Sequence, residues 1–400
     1  MTAGASVSGA GTLERRYLGA IFSELCTIES PSLSERGCGE RVIAELAALG
    51  VAVEEDGAAE LIGSDCGNLL ARIPARSSPP APGAPEGIAP SLLLCAHLDT
   101  VPLQAPVEPV LVDGGWENAN EGILGADNKA AVAVLLALAR HVRGLGSPVD
   151  LELLFTVGEE ISLAGSRVFD ASRLRSEFGY VFDHASPIGE VIVGSPTHFR
   201  LEASFRGVAA HAGIRPEDGR SAILAAARAI AAMPHGRLDE GTTVNVGTIA
   251  GGTALNVVPE RCSLVAEVRA LGDERAETLA AEIVDRIHEA ANMPDCDCDV
   301  DVIAQRTFSG YGLAGASPGV RVAEAALRAC GYEPERVRSG GGSDANALIA
   351  QGFPTVNLAN GTERNHEPDE RVSVVALEGM LDVALALLDE AAALAPGAGL

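Results

Sequence analysis

Lysine is almost missing from this chain, and so are aromatic rings. Among 29 basic residues only Lys129 is a lysine, and Phe, Tyr and Trp together make up 4% with a single tryptophan. Basic charge as a whole is outnumbered: 55 acidic residues leave a formal net charge of −26. Such an excess repels phosphate, which argues against nucleic acid or an anionic membrane as a main partner. Long apolar runs are missing too. The best stretch, residues 130–139, falls short of the roughly 18 residues that span a bilayer. Residues 1–16 have no apolar core, so no signal peptide is expected and the cytoplasm is the expected compartment. The eight cysteines form no C-x-x-C pair, and Cys296 and Cys298 stand one residue apart. That spacing fits neither a zinc ribbon nor a disulfide scaffold, and reduced buried thiols are expected.

What is present suits a folded enzyme. Apolar residues reach 47%, enough for a real core, and 400 residues suggest two or three domains. Helical spacing recurs over residues 13–28 and 34–49, with Gly50 closing the second run. Residues 51–54 and 68–72 read as strands, and 75–90 as a Pro-rich surface loop. The short continuous apolar run 92–96 reads as a strand buried on both faces, and 151–157, 180–182 and 191–193 read as further buried strands. Residues 127–143 form a helix that is apolar nearly all round. This alternation predicts an α/β layer with a mainly parallel central sheet. After Pro196 the pattern becomes β-α-β-β-α-β: 198–205, 221–233, 243–249, 261–269, 273–292 and 297–303. That order is ferredoxin-like. Helices at 317–330 and 377–394 resume the first pattern. The expected division is 1–196 and 308–400 as one domain, with an α+β domain at 197–307 inserted into it.

The chemistry-bearing residues gather at the ends of these strands. His97 and Asp99 close the run 92–96 and face one side, as residues i and i+2 of an extended chain do. Asp127 opens the buried helix. Glu159 and Glu160 follow 151–157, Asp183 ends 180–182, and His366 lies in the polar stretch 360–370. Taken singly, each has an ordinary explanation: a strand-end hydrogen bond, a first-turn acid, a solvated loop pair. Taken together they place four acids and two histidines where an open α/β sheet binds ligands. Asp127, Glu159, Glu160 and Asp183 carry a charge near −4, which two divalent cations would balance. Imidazole and carboxylate without thiolate suit Zn²⁺, with Co²⁺ or Mn²⁺ as alternatives.

The runs Ala96-His97-Leu98-Asp99-Thr100-Val101-Pro102, Gly125-Ala126-Asp127-Asn128-Lys129 and Thr156-Val157-Gly158-Glu159-Glu160 resemble, in order, the signature of the dinuclear zinc exopeptidases. That family includes peptidase T, glutamate carboxypeptidase, aminoacylase and succinyl-diaminopimelate desuccinylase. The stretches 207–213, with His211, and 339–346 are similar to its peptidase T-like tripeptidase branch. The resemblance implies a zinc-exopeptidase-like catalytic domain with an inserted ferredoxin-like lid. It implies that His97 and Asp183 hold one metal ion, Glu160 and His366 the other, and that Asp127 bridges them. Asp99 would orient His97, Glu159 would be the general base, and His211 would donate to the oxyanion, from the partner subunit in dimeric relatives. Asn256, Arg269 and the turn with Gly341, Gly342 and Ser343 would receive the substrate. The implied activity is hydrolysis of short peptides by a metallopeptidase, most closely a tripeptide aminopeptidase, and the implied assembly is a homodimer through the lid. An N-acyl amino acid deacylase, a carboxypeptidase, or a non-catalytic binding protein on the same scaffold are the alternatives. One departure stands out: Glu367 and Pro368 follow His366 where the family has Thr or Ser.

Overall fold

The computed structural model describes residues 10–75 and 90–394. The Pro-rich loop expected at 75–90 lies almost wholly outside them. Among the described residues no helix is long and apolar enough to cross a membrane. All eight cysteines are free thiols, seven of them buried. The chain divides into two compact units, one comprising residues 1–193, 312–339 and 343–400, the other residues 194–311 and 340–342.

The first unit is built on a mixed sheet. Seven of its strands run in the order Val53–Glu55, Leu69–Ile73, Asp150–Thr156, Ser91–His97, Phe178–His184, Thr355–Ala359 and Glu190–Ser195. The four in the middle are parallel to one another. Antiparallel pairs lie outside them: Leu69–Ile73 on Asp150–Thr156, and Glu190–Ser195 on Thr355–Ala359. The central strands are largely apolar and buried because helices cover them. Helix Ala126–Leu145 packs on Ser91–His97 and Phe178–His184, and helices Thr12–Thr27 and Val374–Ala392 pack against it. Its residues 130–139 are buried, as its all-round apolar sequence requires.

A second, four-stranded sheet had no counterpart in the sequence reading. It orders Thr362–Glu363, Arg371–Ser373, Gly115–Asn118 and Pro109–Val112, all antiparallel, with Val372 opposite Trp116.

The second unit is ferredoxin-like. Its antiparallel sheet runs Gly236–Asp239, Thr242–Gly251, Arg261–Ala270, Thr197–Arg206, Asp299–Phe308. Helices Ala222–Ala232 and Asp273–Ala291 pack on it. Along Thr197–Arg206 alternate residues such as Leu201, Ala203 and Phe205 enter the core between sheet and helices, and the residues between them stay exposed.

Candidate metal centre

Because four neighbouring strands are parallel, their carboxyl ends lie along one edge of the sheet. His97 is the last residue of Ser91–His97, Asp183 sits one residue before the end of Phe178–His184, and Glu159 and Glu160 follow Asp150–Thr156 within four residues. His366 comes from the loop 364–370, between Thr362–Glu363 and Arg371–Ser373. Two glycines make the acidic turns possible. Gly125 (φ +77°) precedes the Asp127 turn and Gly158 (φ +61°) precedes Glu159, both in the left-handed region that L side chains avoid. A Cβ on Gly158 would also stand 3.3 Å from Ile62. Asp127 itself stands before the regular helix, with φ −82° and ψ 104°.

The result is one compact cluster. Three overlapping groups, His97–Asp127–Asp183, His97–Glu159–Glu160 and Asp127–Glu160–His366, bring their ligand atoms within 4.8 Å of one another. Asp127 is central. Its Oδ1 lies 3.3 Å from His97 Nε2, and its Oδ2 lies 3.4 Å from His366 Nε2. His97 Nε2 is 3.8 Å from Asp183 Oδ1, and His366 Nε2 is 3.0 Å from Glu160 Oε1. Each half of the cluster thus holds one imidazole and one acid, with an oxygen of Asp127 turned to each. That donor set fits two divalent cations.

Burial and mutual charge displace the acids and imidazoles of the cluster from their ordinary pKa values. Burial, reinforced by the charge of Asp183, pushes the Glu159 carboxyl well above its usual value. Burial and the charge of Asp127 do the same to Asp183. Burial also raises Glu160, against its bond to His366. Asp127 is lowered: burial opposes its charge, but the bonds to His366 and His97 prevail. His97 rises well above its usual value, because bonds to Asp127 and Asp99 outweigh burial. His366 is pushed up to about 10 by its bonds to Asp127 and Glu160. Crowded carboxylates need compensating charge, which bound cations would supply.

Buried groups behind the cluster set its shape, and Asp99 acts in an unforeseen way. The bond to His97 Nδ1 comes from the Asp99 backbone carbonyl, at 3.0 Å, while the Asp99 carboxylate is 3.4 Å away. That carboxylate accepts from Glu159 N at 2.9 Å, Glu160 N at 3.1 Å and Ser32 Oγ at 2.7 Å. Glu35, fully buried, accepts from Gly158 N at 3.0 Å, Leu33 N at 2.9 Å and Ser64 Oγ at 2.7 Å. Glu370 accepts from three backbone amides of the Asp127 turn. Asn365 Nδ2 donates to Asp127 Oδ2 at 2.8 Å. Asp344, fully buried, accepts from Thr156 Oγ1 at 2.5 Å. The sole lysine is buried as well: Lys129, 1% exposed, donates from Nζ to the Ile28 carbonyl. The sequence reading gave no role to Glu35, Asp344, Asn365 or Glu370. Each is a single polar residue in a polar stretch, with no spacing that marks it.

The other candidates lie in the second unit, except Ser343. His211 and Asn256 sit on adjoining segments, joined by a bridge between His211 and Val257 and by Ala212 N donating to Asn256 O at 3.0 Å. Both side chains are exposed. Arg269 is gripped by Glu267 through Nε (3.2 Å) and Nη2 (3.1 Å), and its Nη1 donates to Gly340 O at 3.3 Å. Glu267 Oε2, which accepts from Arg269 Nη2, also takes His198 Nε2 at 3.1 Å. Gly341 O accepts from Ser195 Oγ at 2.8 Å. A Cβ on Gly342 would meet the Phe308 ring at 2.5 Å, so a side chain there would force the ring to shift. Ser343, in the first unit, is buried and caps helix Asp344–Ala350, its N–H bonded to Asn346 Oδ1 at 3.1 Å.

Known proteins are similar to this chain. Residues 194–292 match the M20 peptidase dimerisation domain, and residues 73–210 match peptidase family M28. The uncharacterized protein YqjE of Bacillus subtilis is 32% identical over 372 residues, 93% of this chain and 97% of its own length. The structure of aminopeptidase PepT from Bacillus cereus superposes with a TM-score of 0.81 at 34% identity, covering 94% of this chain and 99% of that one. A tripeptidase from Staphylococcus aureus gives 0.85 at 30% identity, covering 94% and 98%.

Proposed function

Because the chain belongs to the M20 peptidases, hydrolases that act on peptide bonds, we propose that it removes the N-terminal residue from short peptides, tripeptides above all. The observation that carries the reading is the Asp127 carboxylate, with one oxygen turned to His97 and the other to His366, beside the two acids Glu159 and Glu160. His97 and Asp183 would hold one ion, Glu160 and His366 the other, and Asp127 both. Zinc is the proposed metal. When bound, the pair supplies Lewis acidity toward the scissile carbonyl and eases ionisation of water.

The protein's own groups do the rest. Glu159 takes the proton of the attacking water and passes it to the leaving amine. The Asp99 carboxylate fixes the Glu159–Glu160 turn through two amides. The His97 ring is oriented from its far nitrogen by the Asp99 carbonyl, which leaves Nε2 free to face a cation. For His211 the proposed role is donor to the oxyanion. For Asn256, Arg269, Gly341, Gly342 and Ser343 it is reception of the peptide. The proposed setting is a cytoplasmic homodimer that associates through the second unit.

The deciding experiment is metal quantitation joined to an assay of di-, tri- and N-acyl peptides, before and after chelation. Two equivalents of metal, and chelator-sensitive release of the N-terminal residue from tripeptides, are expected. Release of the C-terminal residue, or turnover of N-acyl amino acids alone, would replace the aminopeptidase reading with a carboxypeptidase or a deacylase. No hydrolysis and no metal would refute it.

A further inference from the structure

The loop 364–370 grips Asp127 from two directions. From one side, Asn365 Nδ2 and His366 Nε2 meet Asp127 Oδ2 at 2.8 and 3.4 Å. From the other, Glu370 reaches the backbone of the same turn. Its Oε2 accepts from Leu124 N at 2.9 Å and Gly125 N at 2.7 Å, and its Oε1 accepts from Asp127 N at 2.8 Å. Glu370 is 2% exposed, so water does not compete for these bonds. It is also anchored: the next residues, Arg371–Ser373, are a strand paired with Gly115–Asn118. A buried acid four residues after His366 is therefore fixed to a sheet on one side and to the Asp127 turn on the other.

We propose that Glu370 is a positioning residue for the metal centre, holding the backbone of the Asp127 turn in register with His366 through three amide hydrogen bonds. The inference rests on the metal-centre reading above. Glu370 touches no ligand atom. Its effect runs through where the carboxylate of Asp127 and the ring of His366 stand relative to each other. A glutamine cannot replace it, because one amide oxygen faces three donors and its NH₂ would point at one or two of them.

The test compares wild type, Glu370→Gln and Glu152→Gln. Glu152 is an equally buried acid. It accepts from Arg175 N, Ser176 N, Ser176 Oγ and Arg72 Nε, and it has no contact with the cluster. Affinity for each of two Co²⁺ equivalents is measured by chelator competition and by the visible absorption of the bound ion, with thermal melting of the metal-free proteins alongside. Glu370→Gln is expected to lose about 10- to 100-fold in affinity for at least one equivalent and to shift the Co²⁺ absorption. Glu152→Gln is expected to melt earlier while keeping both affinities within about twofold, as an orphaned buried donor away from the ligands predicts. Should Glu370→Gln not fold, Glu370→Asp is read in the same way, since it keeps two oxygens but sets them back by one methylene. Unchanged affinity and absorption in a folded Glu370 variant overturn the proposal. So does equal loss in Glu152→Gln, which would make the effect one of general stability. A wild type that takes up fewer than two equivalents would instead refute the metal-centre reading itself.

Discussion

Replacing Asp99 by asparagine tests how the turn that carries Glu159 and Glu160 is held. Asp99 is fully buried, and its two carboxylate oxygens take three donors. An asparagine offers one acceptor oxygen. Placed at Oδ1, that oxygen keeps the bond from Glu159 N and loses Glu160 N, while Ser32 can rotate its hydroxyl to accept from the new NH₂. Placed at Oδ2, it keeps Glu160 N and Ser32 and loses Glu159 N. Either way a single buried N–H is orphaned, which costs about 1–3 kcal/mol. The bond to His97 survives, because it comes from the Asp99 carbonyl. Asp99→Asn should therefore lose about 1–3 kcal/mol in urea denaturation of chelated protein, and its turnover should fall at least about tenfold as the turn loosens. Asp99→Ala, which orphans both amides and the Ser32 hydroxyl, should lose more. A change below about 0.5 kcal/mol together with near wild-type turnover would refute the reasoning.

Three further outcomes follow from the same geometry. Glu159→Gln should keep both metal equivalents yet lose about 10²- to 10⁴-fold in turnover, read by metal quantitation and steady-state kinetics; a rate near wild type would exclude Glu159 as the base. Chelation should lower the melting temperature, because ions at 100 times their dissociation constant contribute about 2.7 kcal/mol per site, and an unmoved transition would contradict a metal site. Acid stability should report Glu267, which its bonds to His198 and then Arg269 hold near pKa 2. A depressed folded-state pKa contributes stability that is fully present above the unfolded value, about 4.3, and is lost as pH falls toward 2. Glu267→Gln should flatten the urea midpoint against pH between those limits, and parallel wild-type and variant curves would rule the ion pair out.

Elements that bury whole faces were legible in the sequence, and elements that bury little were not. Ser91–His97 and Asp150–Thr156 are mostly apolar and buried, and helix Ala126–Leu145 is apolar nearly all round in its middle, so their patterns could be read directly. Direction was less visible. Leu69–Ile73 is as buried as its neighbours, and nothing in its composition shows that it runs antiparallel to Asp150–Thr156. The small sheet escaped because strands of two to four residues, such as Thr362–Glu363 and Arg371–Ser373, are too short for a period to register. In the site, the residues that meet one another were marked by their place at strand ends, at the start of the buried helix or in the polar stretch 360–370. Glu35, Asp344 and Glu370 were not, because their partners are backbone amides and hydroxyls far along the chain, and no side-chain pattern encodes which amide a distant carboxylate will find.

The enclosure of Lys129 has a practical side. With its ammonium turned inward to the Ile28 carbonyl, the chain offers no side-chain amine at its surface. Reagents that acylate amines would find no lysine on the native molecule, and modification of this one position would count only molecules that have opened. The chain thereby carries an intrinsic chemical reporter of its own unfolding.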